Sequence, residues 1–252
     1  MKVVCIGSGN VATHLAKAIH EAGFTVSQIV SRTEENAKKL ALSVNAEWTT
    51  SPDDIEEADI YIYSVSDSAL CEIIRLNPHK EGLHVHTAGS MSLSLFADIK
   101  ERGGVLYPLQ TFSKGKAVDF KDIPLFIEAS NANDLNILRE LASAISNKVY
   151  EASSAQRQQL HLAAVFACNF TNHLFAIAES ILHEADIPFE VLRPLIQETI
   201  DKTATLSPRE GQTGPAVRKD FNVMNKHLDK LTDHPRWQEI YRLLSESIID
   251  NH

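Results

Sequence analysis

Two glycines one residue apart, Gly7 and Gly9, are followed by the small Ala12 in the run GSGNVA. This spacing matches the G-x-G-x-x-G/A turn, and it has a chemical reason. Gly7 allows a tight bend. Gly9 has no Cβ to keep a diphosphate away from the main chain. Ala12 lets a helix pack close to a sheet. Unpaired N–H groups at a helix start, with the positive end of the helix dipole, then favour an anion. Gly7, Ser8, Gly9, Asn10 and Val11 are therefore expected to hold the diphosphate of a dinucleotide. The plain alternative is a tight strand-to-helix turn with no ligand. The motif's place after one apolar run and before a helical one, inside a β-α-β unit, favours the dinucleotide.

The end of the second apolar run should choose between cofactors. An acid there would grip the ribose hydroxyls of NAD. The chain offers Ser31, Arg32 and Thr33 instead. A guanidinium can pair with a 2′-phosphate and stack on adenine, and two hydroxyls add donors. NADP(H) is expected over NAD(H), against the alternative that Arg32 is a solvated loop charge. The missing acid also argues against an S-adenosylmethionine methyltransferase.

Three further polar clusters follow apolar runs: Ser64, Val65, Ser66 and Asp67; His86 to Ser90 (HTAGS); and Tyr107 to Phe112 (YPLQTF). Ligands of open α/β sheets sit outside the carboxyl ends of the strands. Ser64, Val65 and Ser66 are expected beside the cofactor. His86 and Ser90 are candidate proton donors or carbonyl ligands, and Gln110 and Thr111 candidate substrate contacts. Taken singly, such residues more often satisfy loop backbone. Three clusters at equivalent positions strengthen the functional reading.

The stretch 160–181 is apolar almost all round, yet it carries His161, Asn169, Asn172 and His173. Spacings of four, four and three put His161, Val165, Asn169 and Asn172 on one stripe. A buried Asn must find partners, so the stripe either lines a substrate pocket or bonds to another helix. Asn169 is the leading pocket candidate, with Asn172 beside it and His161 a candidate acid. In TGPAVRKD (213–220), Arg218 is a candidate carboxylate holder or a partner of Asp220, which is expected to cap a following helix.

These residues need a frame. Runs at 3–6, 25–30, 46–49, 59–65, 83–87, 105–109 and 125–129 read as strands. Stretches at 11–22, 34–42, 93–102 and 133–145 read as helices, with a helix start at Ser51-Pro52. The alternation predicts an α/β fold, a Rossmann-type parallel sheet with helices on both faces. From 153 onward no strand is expected. One long helix at 155–185, then helices at 189–205, 222–231 and 235–249, make an all-α second part. The expected division is a dinucleotide-binding domain, 1–152, and a helical substrate and dimerisation domain, 153–252.

Composition is ordinary for a globular protein: 252 residues, 44% hydrophobic and 23% charged, with a formal net charge of −9. The acidic balance, with no basic patch, argues against nucleic-acid binding. The apolar stretch 160–170 is too short and interrupted to span a bilayer, and 3–6 is too short for a signal peptide. Cys5, Cys71 and Cys168 are expected as buried reduced thiols in a cytoplasmic protein. No Cys/His spacing suits zinc, so no metal is expected.

The motifs IGSGNVATHL (6–15), HTAGS (86–90), YPLQTFS (107–113), HLAAVFACNF (161–170) and TGPAVRKD (213–220) resemble a bacterial group of NAD(P) oxidoreductases. That group joins a Rossmann-like domain, similar to pyrroline-5-carboxylate reductases and deazaflavin-dependent NADP oxidoreductases, to a helical domain of unknown function like the 6-phosphogluconate dehydrogenase C-terminal fold. The resemblance implies hydride transfer to or from a small C=O or C=N substrate in a cleft between domains; the stretch 160–181, apolar on every side, needs cover beyond one small sheet, so a homodimer through the helical domain is expected. One departure stands out. Related β-hydroxyacid dehydrogenases place a Lys one turn before an Asn on the first long helix. Here that position, four before Asn169, is Val165. His161, His86 or water would then supply a proton. The alternative is a non-catalytic NADP(H)-binding redox sensor or assembly module.

Overall fold

A computed structural model describes residues 1–113 and 115–252. Two compact units emerge, Met1–Asn169 and Phe170–His252.

The first unit is built on eight strands: β1 (Lys2–Ile6), β2 (Thr25–Val30), β3 (Glu47–Thr49), β4 (Ile60–Tyr63), β5 (Leu83–His86), β6 (Gly103–Pro108), β7 (Leu125–Ala129) and β8 (Val149–Glu151). They form one sheet in the order β3-β2-β1-β4-β5-β6-β7-β8. All neighbours are parallel except β6 and β7. The sheet is thus the Rossmann-type, mostly parallel one expected, with one antiparallel pair near its far edge. β8 is a further strand of only three residues.

Successive side chains of a strand point to opposite faces, and strands covered on both sides are apolar throughout. Val3 and Cys5 of β1 face one core, shared with Leu15 and Ile19 of α1 (Asn10–Glu21), Leu40 and Ala41 of α2 (Glu34–Val44) and Leu138 of a later helix. Val4 and Ile6 face the other, with Tyr61, Tyr63 and Phe96, and with Leu70 and Ile74 of α3 (Asp67–Leu76). The later helix is α4 (Ala132–Ile145), capped by the Asn131 side chain on the Asp134 N–H. The expected helix at 93–102 is only a 3₁₀ turn, Leu93–Phe96. The Phe96 ring lies against Gly103, where an added Cβ would come within 2.8 Å of it, and the chain turns there to enter β6.

The unit ends with α5 (Ser154–Ala164), opened by a capping box between Ser153 and Gln156. It leads into a π-helical turn, Val165–Phe170. By length and composition the segment Ser154–His183 could cross a membrane, which corrects the estimate from 160–170 alone. Core helices of soluble proteins pass the same test.

The second unit holds α6 (Thr171–His183), α7 (Arg193–Lys202), α8 (Phe221–Lys230) and α9 (Pro235–Asn251). Residues 189–205, read as one helix, are a 3₁₀ turn at Phe189–Leu192 followed by α7. Asp220 caps α8 through the Val223 N–H at 3.2 Å, as its position suggested. Val191, Leu195, Ile200, Phe221 and Leu243 are each more than half exposed.

Candidate functional site

The sheet's order reverses direction between β1 and its neighbours β2 and β4, the switch point where open α/β sheets bind ligands. Gly7 sits there. Its φ is +120°, its N–H donates to the Val30 carbonyl at 2.8 Å, and a Cβ would lie 2.3 Å from the Ser64 carbonyl oxygen. No other residue type fits. Gly9, the N-cap of α1, supplies no side-chain cap, and a Cβ added there would meet no protein atom within 4 Å. The helix start thus opens onto free space, the shape that a diphosphate needs.

That space is a cavity of about 1180 Å³ lined entirely by the first unit. Gly7, Ser8, Gly9, Asn10 and Val11 line it, as do Ser31, Arg32 and Thr33 and, beyond them, Ser64, Val65 and Ser66. The Ser8 and Ser31 hydroxyls share a hydrogen bond of 2.6 Å, joining the glycine turn to the end of β2. Thr33 is the N-cap of α2 yet makes no side-chain cap, so its hydroxyl is available to a ligand. Among the described lining residues, Arg32 is the one cationic side chain besides histidine and Asp67 the one carboxylate. A diphosphate, a 2′-phosphate and adenine therefore fit this half of the cavity. Asn36, Thr50 and Ile55 also line it. They carry no local motif and are found only once the chain is folded.

Asn10 has a second task. Its side chain donates to the Phe112 carbonyl at 2.8 Å, which directs that amide group to the segment after β6. His14, one turn on, bonds the Ser113 carbonyl at 3.0 Å and stacks on Phe112. Together they tie the segment after β6 to α1, which brings Gln110 and Thr111 to the cavity wall.

The other half of the cavity is bounded by Thr87, Gly89, Tyr107, His161 and Asn169. The Tyr107 hydroxyl lies 3.1 Å from His161 Nδ1. Burial raises the Tyr107 pKa above the usual phenol value, although Arg157 pulls it back in part. Along α5 the cavity is lined by Leu160, His161, Ala163 and Ala164, and along the π turn by Ala167 and Cys168. Steps of three and four from His161 thus reach Ala164 and Cys168, not Val165. Asn169 joins them within the π turn.

Two candidate acids are placed elsewhere. His86 is fully buried, stacks on Phe96 and is absent from the cavity wall. Its Nδ1 accepts the Ala88 N–H at 3.2 Å. Burial, then the Arg157 guanidinium, push its pKa down to about 4. It shapes a turn and stays neutral near pH 7. Ser90 is also off the wall: its hydroxyl donates to the Asp67 carboxylate, and its carbonyl accepts from Gln158 at 2.8 Å. Asn172 and the exposed Arg218 belong to the second unit and do not line this cavity. Of the thiols, Cys5 is buried and pushed up to about 12 by that burial, Cys71 is half-buried, and Cys168 is exposed, so only one of three is buried as expected.

Arg157 holds the site's floor. Fully buried on α5, it pairs with Glu128 of β7 and donates to the Ala88 and Met91 carbonyls. The Ser154 hydroxyl also donates to Glu128, at 2.8 Å. Helix, sheet and the segment after β5 are thereby locked together.

Residues 2–85 match the family described as NADP oxidoreductase coenzyme F420-dependent, and residues 123–248, half the chain, match the domain of unknown function DUF2520. A Bacteroides fragilis protein described as a putative NADP oxidoreductase is 49% identical, with a TM-score of 0.94 over 99% of this chain and 98% of its own. The fold is shared, at 14% identity and a TM-score of 0.64, with 1-pyrroline-5-carboxylate reductase of Streptococcus pyogenes, over 99% and 98% of the two chains. It is shared at 15% identity and a TM-score of 0.62 with a Streptomyces aurantiacus imine reductase, over 99% and 96%. No curated protein matches by sequence.

Proposed function

The chain belongs to the NADP oxidoreductase family in which a Rossmann-type coenzyme domain precedes the domain of unknown function DUF2520, and from that premise we propose that it transfers hydride between NADP(H) and a small C=O or C=N substrate. The observation that carries this reading is one continuous cavity. It runs from an unhindered glycine turn and Arg32 to a tyrosine–histidine pair.

The nicotinamide, when bound, supplies or takes up the hydride. The protein's own residues do the rest. The main-chain N–H groups at Gly9, Asn10 and Val11 hold the diphosphate. Ser31, Arg32 and Thr33 recognise the 2′-phosphate. Ser64, Val65 and Ser66 pack along the cofactor toward the reacting end. Gln110, Thr111 and Asn169 contact the substrate, and His161 holds the proton that the reacting oxygen or nitrogen gains. Apolar Leu160, Ala163 and Ala164 on the wall keep water from that end.

No lysine lines the cavity among the described residues, and this favours a second reading, an NADP(H)-binding sensor without turnover. Rapid mixing of the protein and NADPH with a panel of ketoacids, linear imines and cyclic imines separates the two. NADPH consumption with any member, lost in His161→Gln, supports the enzyme. Tight NADPH binding with no consumption across the panel supports the sensor.

The exposed apolar side chains of the second unit favour a homodimer, acting in the cytoplasm with reduced thiols. A monomer in sedimentation at micromolar concentration would contradict the dimer.

A further inference from the structure

Tyr107 ends near the close of β6 and His161 lies 54 residues later on α5. Their rings meet edge to face with centroids 6.1 Å apart. Gly89 presses on both: a Cβ there would lie 2.7 Å from His161 Nδ1 and 2.8 Å from Tyr107 Cζ. Only a glycine lets the main chain after β5 approach this closely, which gives the HTAGS run a task that cofactor binding does not explain. The Tyr107 hydroxyl pairs with His161 Nδ1, which leaves the ring's other nitrogen, Nε2, outside this pair.

These contacts determine where the protons sit. Burial keeps the Tyr107 oxygen protonated near neutral pH. A buried hydroxyl hydrogen must reach an acceptor, and Nδ1 is the one at hand. A neutral imidazole that accepts at Nδ1 carries its hydrogen on Nε2. The Nε2 atom belongs to a side chain on the cavity wall.

The geometry points to Tyr107 as a positioning residue, clamped by Gly89, that holds His161 in the Nε2–H tautomer so that this hydrogen is the proton offered to the substrate. The inference rests on the oxidoreductase reading above. When the carbon of a carbonyl or neutral imine accepts hydride from the reduced nicotinamide, the π electron pair moves to the oxygen or nitrogen. That atom takes the Nε2 proton of His161, and the Tyr107 hydroxyl proton passes to Nδ1. The negative charge ends on the Tyr107 oxygen, where burial opposes it and Arg157 offsets that opposition in part, until water restores the proton.

Nitrogen-15 NMR of the full-length protein with labelled histidine, free and with NADPH, reads the tautomer directly. The resonances of His161 are those missing from His161→Gln. The expected wild-type spectrum shows neutral His161 protonated at Nε2 and bare at Nδ1. Tyr107→Phe removes the donor and should give a mixture of both tautomers. Gly89→Ala, which displaces the pair without altering either side chain, should give a similar mixture. A wild-type His161 protonated at Nδ1 overturns the inference, as does an unaltered tautomer in Tyr107→Phe and Gly89→Ala. Failure of NADPH to bind the wild type would overturn the functional reading instead, leaving the tautomer result intact.

Discussion

At the scale of single residues, Gly7 and Gly9 are glycine for different reasons, and substitution separates them. Gly7 combines a φ of +120° with a backbone carbonyl 2.3 Å from any Cβ. Gly7→Ala meets strain of about 1–3 kcal/mol from the dihedral alone and a clash in addition, so both melting temperature and NADPH affinity should fall. Gly9 has a φ of −73°, which alanine adopts freely, and open space around it. Gly9→Ala should melt like the wild type but bind NADPH at least roughly tenfold more weakly, since its methyl group occupies the diphosphate's place. Thermal melts paired with fluorescence titration check both; equal affinity in Gly9→Ala would count against the cradle. This turn was legible in the sequence because its chemistry is local, six residues long. His86 was not, because a strand end and a buried turn look alike until Phe96 packs on it. The Tyr107–His161 pair was invisible for another reason: nothing local links residues 54 apart.

Among the elements, β2 and β7 match their apolar runs at 25–30 and 125–129 to the residue. β-branched runs bounded by turns announce themselves. The direction of β7 does not, since side-chain alternation is identical in parallel and antiparallel pairs. Three-residue β8 is too short to show a period, and the π turn at Val165–Phe170 alters the helical step beyond Val165, on which the placing of Asn169 and Asn172 in line with His161 relied. What joins these elements under the site is Arg157, and its removal should be costly. Breaking a buried ion pair by deleting one partner costs about 3–5 kcal/mol. Glu128 is only partly covered, so the lower end applies, and Arg157→Met should lower the melting temperature by on the order of 10 °C. An unchanged melt would mean that the Arg157 network is not what fastens α5 to the sheet.

For the molecule as a whole, two buried histidines set a pH response. Burial pushes His84 down to about 3 and His86 to about 4, from an ordinary value of 6.5. Their folded-state pKa values lie below the unfolded ones, so the unfolded chain binds more protons between those limits. Stability is full above pH 6.5 and falls as pH drops toward 4, by roughly 1.4 kcal/mol per pH unit for each histidine. Urea unfolding across this window should show the loss. His86→Asn, which keeps an acceptor for the Ala88 N–H, should roughly halve the slope; an unchanged slope would contradict the assignment. The change from strand-helix alternation to helices alone after residue 152 was legible in the sequence, whereas the compact units divide later, between Asn169 and Phe170. The site was legible at its phosphate end, where motif residues cluster, and much less at its reacting end, where distant elements meet. The account depends most on a diphosphate held by the glycine turn with Arg32 reading the additional phosphate. Fluorescence titration of NADPH and NADH against wild type and Arg32→Ala tests this directly. The prediction is a clear wild-type preference for NADPH that Arg32→Ala weakens by roughly 10–100-fold, the range of a charge-assisted hydrogen bond, with NADH binding unchanged. Equal, feeble binding of both cofactors to the wild type, or a preference that survives in Arg32→Ala, would contradict it.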